Sequence, residues 1–163
     1  MSGIVGQRPL VRRATRWLES TSNRTFIVWP LLLLALQSVL DRGWPQLNPW
    51  GLPLLVWGYA QYRWVGGLRT ARGGGGPGLS NPPERLVDDG PYRLTRNPMY
   101  LGHLIFFAGL AVGLSGVAWL VFAAHAVWFD RRVRSDERHL LALFGAPYRD
   151  YLGRVRRWVP GLY

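Results

Sequence analysis

The stretch PMYLGHLIFFAGLAVGLSGVAWLVFAAHAVWF, residues 98–129, contains no Asp, Glu, Lys or Arg over 32 residues. As one straight helix it would measure about 48 Å, whereas the hydrocarbon core of a bilayer is about 30 Å thick. Glycines at positions 113 and 116 offer a turn in the middle of the stretch. We therefore expect two membrane helices in a tight hairpin rather than one long span.

Two shorter apolar runs precede this hairpin. Residues 25–40 carry no charged side chain, and residues 50–65 read as a helix that returns across the membrane. The turn between them is rich in Pro and Trp, a composition suited to a membrane interface. These runs and residues 98–129 predict an all-α integral membrane protein with about four transmembrane helices in two hairpins, followed by cytoplasmic C-terminal helices.

The remaining segments complete a single membrane domain over residues 1–163. Residues 7–20 place apolar side chains on one helical face and arginines largely elsewhere, the pattern of an amphipathic helix in the interface. The predicted parts are an interfacial N-terminal helix (1–24), the first hairpin (25–65), a Gly/Pro-rich cytoplasmic linker (66–89) and a core with the second hairpin and the C-terminal helices (90–163).

Composition narrows the possible partners. The chain has 20 basic residues, all Arg, against 9 acidic ones, for a net charge of +11. The arginines flank the apolar runs, as in proteins that contact anionic lipid headgroups, and no nucleic-acid recognition motif is present. We therefore expect membrane lipids as partners and no nucleic acid. There is no cysteine, and the three histidines lack metal-ligand spacing, so no metal site is predicted.

The distribution of arginines predicts the orientation. Five lie in residues 1–24, six in residues 63–97 and eight from residue 131 onward, while the other two turns contain only Arg42. The positive-inside rule then places both termini and the long loop on the cytoplasmic side of the cell (inner) membrane. The charged segments that flank the second hairpin, residues 90–97 and 130–138, fall on that side as well.

A basic segment directly precedes the second hairpin. Asn97-Pro98 is a strong helix-start signal, because Asn caps free backbone N–H groups and Pro fits the first helical position. The positive end of that helix, with Arg96 beside it, can bind an anion. A membrane helix that starts cleanly beside snorkelling arginines has the same pattern, so both interpretations stay open here.

Two motifs carry a resemblance to a known family. One is Gly-Pro-Tyr-Arg-x-x-Arg-Asn-Pro-Met-Tyr-x-Gly over residues 90–102. The other is Asp-Glu-Arg-x-Leu over residues 136–140, followed by Phe-Gly-x-x-Tyr-x-x-Tyr-x-x-x-Val-x-Arg-Trp-x-Pro over residues 144–160. In order and spacing, residues 84–161 resemble the isoprenylcysteine carboxyl methyltransferase and phospholipid methyltransferase superfamily.

The resemblance implies a multi-pass membrane methyltransferase that uses S-adenosylmethionine. Its substrate would be hydrophobic or lipid-like, of the isoprenylcysteine carboxylate or phospholipid amine type, and residues 90–163 would form the catalytic core. The implied cofactor-binding residues are Tyr92, Arg96, Asn97, Pro98, Tyr100, Gly102, Asp136 and Glu137.

The chemistry of the cofactor assigns roles within that set. Arg96 and the helix start would bind its carboxylate, Glu137 its ammonium group, and Tyr100 its adenine. Glu137 shares a helical face with three apolar residues, so it lies on the packed side of its helix. The implied catalytic residues are Arg93, to steer an anionic substrate, and His103 or Glu137, to accept a proton from an amine.

The chain departs from the family pattern at two places, since Asn97 stands where the family usually has His, and Asp136-Glu137 where it has two glutamates. A sterol-reductase-like enzyme that binds NADPH is an alternative, but such enzymes typically carry Asn at the position of Met99. A non-catalytic membrane module is another. Gly109 and Gly113 have the small-xxx-small spacing of close helix packing, either within the monomer or, more weakly, in a homodimer.

Overall fold

The computed structural model describes residues 15, 17–75, 83–114 and 116–158, and this part of the chain is helical without strands. The all-α prediction is therefore confirmed. The predicted interfacial helix at residues 7–20 lies largely outside the described residues. The helices are α1 (Thr21–Leu40), α2 (Gly51–Gly73), α3 (Pro98–Leu114), α4 (Val117–Phe144) and α5 (Ala146–Arg154), with a short 3-10 helix at Gly90–Arg93.

The outer faces of the helices are apolar and exposed. Val39 of α1, Val56 of α2 and Leu120 of α4 are 74 %, 61 % and 71 % exposed. Large contiguous apolar surfaces of this kind mark contact with membrane or protein. Among the described helices, α1 qualifies as a membrane span by length and composition, with 20 residues and a mean hydropathy of 1.4, and α3 is a shorter apolar helix. The count of four spans stays a prediction.

Helix α2 is longer than the sequence predicted. It continues to Gly73, into the segment expected to be a linker. Val65 and Gly73 on its extended end are buried, and Val65 belongs to a cluster that includes Tyr92 and Met99. Packing against residues 83–99 therefore holds this glycine-rich end helical, although glycine itself disfavours a helix.

Helices α2 and α3 approach each other through glycines. A Cβ atom on Gly102 would lie 2.9 Å from the carbonyl oxygen of Gly58, and one on Gly109 would lie 2.8 Å from the backbone nitrogen of Leu55. Side chains larger than hydrogen would push the two backbones apart. The glycine face that the sequence also offered for a homodimer is thus covered by α2 of the same chain.

The predicted turn in the long apolar stretch is present. Helix α3 ends at Leu114 and α4 begins at Val117, with Gly116 at a φ of 48° in the left-handed region that favours glycine. Helix α4 then continues past the apolar stretch into the charged segment. Its buried residues Phe129, Val133 and Glu137 recur at four-residue intervals, so one face joins the apolar core to the polar end.

The C-terminal residues fold back onto the segment before α3. Helix α4 stops at Gly145, which has a φ of 62°, and α5 follows. The backbone N–H of Arg96 donates to the carbonyl oxygen of Arg156 at 2.9 Å, and the hydroxyl of Thr95 donates to that of Arg157 at 2.8 Å. These contacts join the two sequence motifs, although Thr95 and Arg157 are 62 residues apart in the chain.

Candidate active site

A cavity of about 370 Å³ lies where the C-terminal end of α2, the segment that leads into α3, the polar half of α4 and helix α5 meet. Six of the predicted cofactor-binding residues line it. These are Tyr92, Arg96, Asn97, Pro98, Tyr100 and Asp136. The sequence therefore predicted much of one wall, and the structure brings its two separate motifs together around one space.

The guanidinium of Arg96 is held by three hydrogen bonds. Its Nε donates to Oε1 of Glu137 at 2.9 Å, and its Nη1 donates to the carbonyl oxygens of Leu152 and Val155, both at 2.9 Å. The side chain is 11 % exposed. Arg96 thus fixes the end of α5 against α4, and it also lines the cavity.

Glu137 lies between two guanidinium groups. Besides the bond from Arg96, its Oε2 accepts a hydrogen bond of 2.8 Å from Nη2 of Arg157. Glu137 is 10 % exposed and Arg157 is 17 % exposed, so the pair is largely removed from water. Buried charges need such partners, because an unpaired one carries a large desolvation penalty. Glu137 is not among the described residues that line the cavity, in contrast to its predicted place at the cofactor.

The neighbouring carboxylate, Asp136, lines the cavity. Its Oδ2 accepts a 2.6 Å hydrogen bond from the hydroxyl of Tyr100, and its Oδ1 lies 3.1 Å from Nε of Arg132. The Asp136 side chain is 29 % exposed, compared with 10 % for Glu137. The acidic pair is therefore divided between a buried ion-pair network and a cavity wall.

The start of α3 is as predicted, but the Asn97 side chain makes a different contact. Helix α3 begins at Pro98, and the Asn97 carbonyl accepts the first helical hydrogen bond from Leu101 at 2.9 Å. The Asn97 side-chain amide donates to the carbonyl oxygen of Arg157 at 3.1 Å. Asn97 thus ties the start of the helix to the C-terminal segment, in the wall of the cavity.

Tyrosines form an aromatic part of the wall. The hydroxyl of Tyr151 donates to the carbonyl oxygen of Tyr92 at 2.7 Å, and the rings of Tyr148 and Tyr151 lie 5.8 Å apart. Burial raises the pKa of Tyr92 to about 12 and raises the pKa values of Tyr148 and Tyr151 as well. All three hydroxyls are therefore neutral at physiological pH. Tyr148 and Tyr151 belonged to the quoted motif but were not assigned to the site.

Besides Glu137, three predicted residues are not among the described residues that line the cavity. Gly102 packs against the backbone of α2, and Arg93 is exposed. His103 is fully buried: its Nδ1 is 2.9 Å from the Met99 carbonyl oxygen, and its ring packs against Phe26 at 4.9 Å. The roles in substrate steering and proton transfer that the sequence gave Arg93 and His103 gain no support from these positions.

Arg69 is a wall residue that sequence reasoning missed. It lies on α2, lines the cavity and is 9 % exposed. Nothing in the sequence separated it from Arg63 and Arg72, which are exposed on the same helix. Arg69 shares the cavity wall with Pro83, Val87 and Tyr92, which are distant from it in sequence, so its burial depends on tertiary structure.

Together these features define a class of protein: a helical bundle with apolar outer faces and a charged, tyrosine-lined cavity at its polar end. Residues 78–147 match the family model described as phospholipid methyltransferase. The motifs, this match and the relatives described next support the resemblance of this region to the isoprenylcysteine carboxyl methyltransferase and phospholipid methyltransferase superfamily that the motif spacing indicated.

Several curated proteins are similar to this half of the chain. Protein-S-isoprenylcysteine O-methyltransferase B of Arabidopsis thaliana is 36 % identical over 78 residues, which are 47 % of this chain and 40 % of that protein. Protein-S-isoprenylcysteine O-methyltransferase A of the same organism is 39 % identical over 77 residues (46 % and 39 %). Methanethiol S-methyltransferase 2 of Bradyrhizobium diazoefficiens is 37 % identical over 73 residues (44 % and 27 %).

The similarity therefore covers only part of this chain and only part of each relative. The matched region spans two fifths or less of each of these relatives. No solved structure matches the chain significantly. Helices α1 and α2 lie outside the region that the family model matches.

Proposed function

We propose that the protein is an S-adenosylmethionine-dependent methyltransferase of the cell inner membrane that acts on a hydrophobic or lipid-like acceptor. The observation that carries the proposal is the cavity in which Asp136 and buried arginines meet tyrosine side chains at the polar end of apolar helices. A polar methyl donor and an acceptor dissolved in lipid could meet at such a place. The superfamily relationship supports the same chemistry.

The cavity fits the proposed donor in size and in side-chain chemistry. Its volume of about 370 Å³ lies within the range of small-molecule sites, roughly 300–1,000 Å³. The amino-acid part of the donor needs a carboxylate for its ammonium group and a cation for its own carboxylate, and the purine needs an aromatic or apolar surface. Asp136, the wall arginines and Tyr100 supply these three kinds of contact.

Asp136, rather than Glu137, is the carboxylate we assign to the ammonium group. Asp136 lines the cavity, whereas both carboxylate oxygens of Glu137 accept hydrogen bonds from arginines. The Tyr100 hydroxyl and Arg132 hold the Asp136 carboxylate in place. Glu137 then serves as a positioning residue, since it fixes Arg96 in the wall and Arg157 behind it.

The bound donor would supply an activated methyl group on a sulfonium, and the protein has to align the acceptor and exclude water. The buried tyrosine wall suits water exclusion. A carboxylate or thiolate acceptor needs no general base. No base is proposed here, because His103 lies away from the cavity lining.

The membrane arrangement follows the arginine distribution. We propose four spans formed by α1, α2, α3 and the apolar half of α4, with both termini and the cavity on the cytoplasmic side. The polar end of the bundle, which contains the cavity, is also the end at which the arginines cluster. The exposed apolar faces would contact lipid.

Binding and transfer assays on the full chain in detergent test the proposal. We expect the purified protein to bind S-adenosylmethionine and not NADPH, and to transfer a labelled methyl group to an organic-soluble product in a host membrane extract. Binding of NADPH instead would favour the reductase alternative. Binding of neither compound, without a labelled product, would favour a non-catalytic module.

A further inference from the structure

We propose that Arg69, on helix α2, binds the carboxylate of the methyl donor, so that helix α2 forms part of the cofactor site. This inference rests on the proposed function, and it extends the site beyond the region that the family model matches, residues 78–147. It assigns to α2 a role that neither the motifs nor the similar proteins indicate.

The position of Arg69 suits a ligand-binding role. Its side chain lines the cavity, and the residue is only 9 % exposed. Arginine is rarely buried to this degree, and a guanidinium in a cavity wall presents planar donors that match a carboxylate in a bidentate way. The positive charge of Arg69 also acts on Tyr92, which lines the same cavity, and opposes the rise in its pKa that burial causes.

The wall of the cavity carries an excess of positive charge. Three arginines, Arg69, Arg96 and Arg132, line the cavity, whereas Asp136 is the one acidic side chain among its described lining residues. The lining is therefore net positive, which favours a ligand with an anionic group.

The helix that carries Arg69 is held in place by close packing. Val65, one turn before it, is fully buried, and Gly73, one turn after it, packs so closely that a Cβ atom there would lie 2.8 Å from a side-chain carbon of Val87. The side-chain amide of Gln61 donates to the Pro98 carbonyl oxygen at 2.9 Å and ties α2 to the start of α3. A guanidinium on a fixed helix is pre-organised for binding, which lowers the entropic cost.

The test compares donor affinity in three variants of the full chain, measured by calorimetry in detergent with S-adenosylmethionine. We expect R69Q to bind it about 10- to 100-fold more weakly, the range for loss of a charged hydrogen-bonding partner. R69K should recover part of this loss, because it keeps the charge but not the bidentate geometry. R63Q, an exposed arginine on the same helix, should bind within about twofold of the wild type.

A second ligand separates carboxylate binding from a structural effect. For decarboxylated S-adenosylmethionine, we expect the wild type and R69Q to have similar affinities, because the group that Arg69 contacts is missing. If R69Q weakened both ligands equally, Arg69 would be a structural residue and the inference would be overturned. Unchanged affinity of R69Q for the full donor would overturn it while leaving the methyltransferase proposal intact. If the wild type bound no donor, both proposals would fail.

Discussion

Two adjacent acidic residues of α4 lie in different environments, and the contrast separates what holds this protein together from what it offers to a ligand. Glu137 is buried between Arg96 and Arg157. Asp136 instead lines the cavity and forms a more exposed ion pair with Arg132. We name the first group, Arg96, Glu137 and Arg157, the buried network. The same motif thus joins α4 to the C-terminal segment and also forms part of the wall of the cavity that we propose for the donor.

The largest effect should come from breaking the buried network. Glu137→Gln would remove the carboxylate that bridges two largely buried guanidinium groups, and we expect the free energy of unfolding to fall by about 3 kcal/mol. Denaturant unfolding in detergent micelles, followed by circular dichroism, measures this change.

The matched control for that variant is Glu19→Gln, which removes an exposed carboxylate and should change the unfolding free energy by less than about 0.5 kcal/mol. If Glu137→Gln unfolded like the wild type but lost donor affinity, Glu137 would contact the donor as the sequence first predicted. The division of the acidic pair would then be incorrect.

For Asp136, which lines the cavity, we expect a loss of donor affinity with little loss of stability. Asp136→Asn should weaken binding of S-adenosylmethionine about 10- to 100-fold, because it removes the negative charge assigned to the donor ammonium. Its stability should change by less than about 1 kcal/mol, since the Asp136–Arg132 pair is partly exposed and screened by water. Calorimetry measures the affinity, with Asp150→Asn, an exposed acid on α5, as the control. Unchanged affinity in Asp136→Asn would remove Asp136 from the proposed site.

The sequence predicted some of this division and missed the rest, for physical reasons. The glycine turn near residue 116 and the helix start at Pro98 depend on local chemistry, and both are present. Glu137 was correctly placed on the packed side of its helix, and burial there demands a partner. The sequence pattern does not identify that partner, because Arg157 reaches Glu137 only after the chain reverses at Gly145. The burial of Arg69 likewise depends on tertiary packing.

Gly102 was predicted to bind the cofactor, whereas the structure packs it against the backbone of helix α2. A Cβ atom there would lie 2.9 Å from the Gly58 carbonyl oxygen and 3.0 Å from the Tyr62 backbone nitrogen. Gly102→Ala should therefore lower the unfolding free energy by about 1–3 kcal/mol while the folded protein keeps its donor affinity. Gly67→Ala on α2, where a Cβ would meet nothing within 4 Å, should be neutral or stabilising by up to about 1 kcal/mol. A loss of affinity without a loss of stability in Gly102→Ala would return this glycine to the donor site.

The smallest expected effect tests how Asp136 is held. The Tyr100 hydroxyl donates a 2.6 Å hydrogen bond to Asp136, while its ring packs against Phe129 at 5.2 Å. Tyr100→Phe keeps the ring and removes only the donor, so we expect the affinity for S-adenosylmethionine to fall about three- to tenfold, as for the loss of a single hydrogen bond. In the background of Asp136→Asn the same change should have little further effect, because residues in one network are not additive. Tyr59→Phe, at an exposed tyrosine of α2, is the control. An equal loss in both backgrounds would mean that the Tyr100 hydroxyl acts on the donor independently of Asp136.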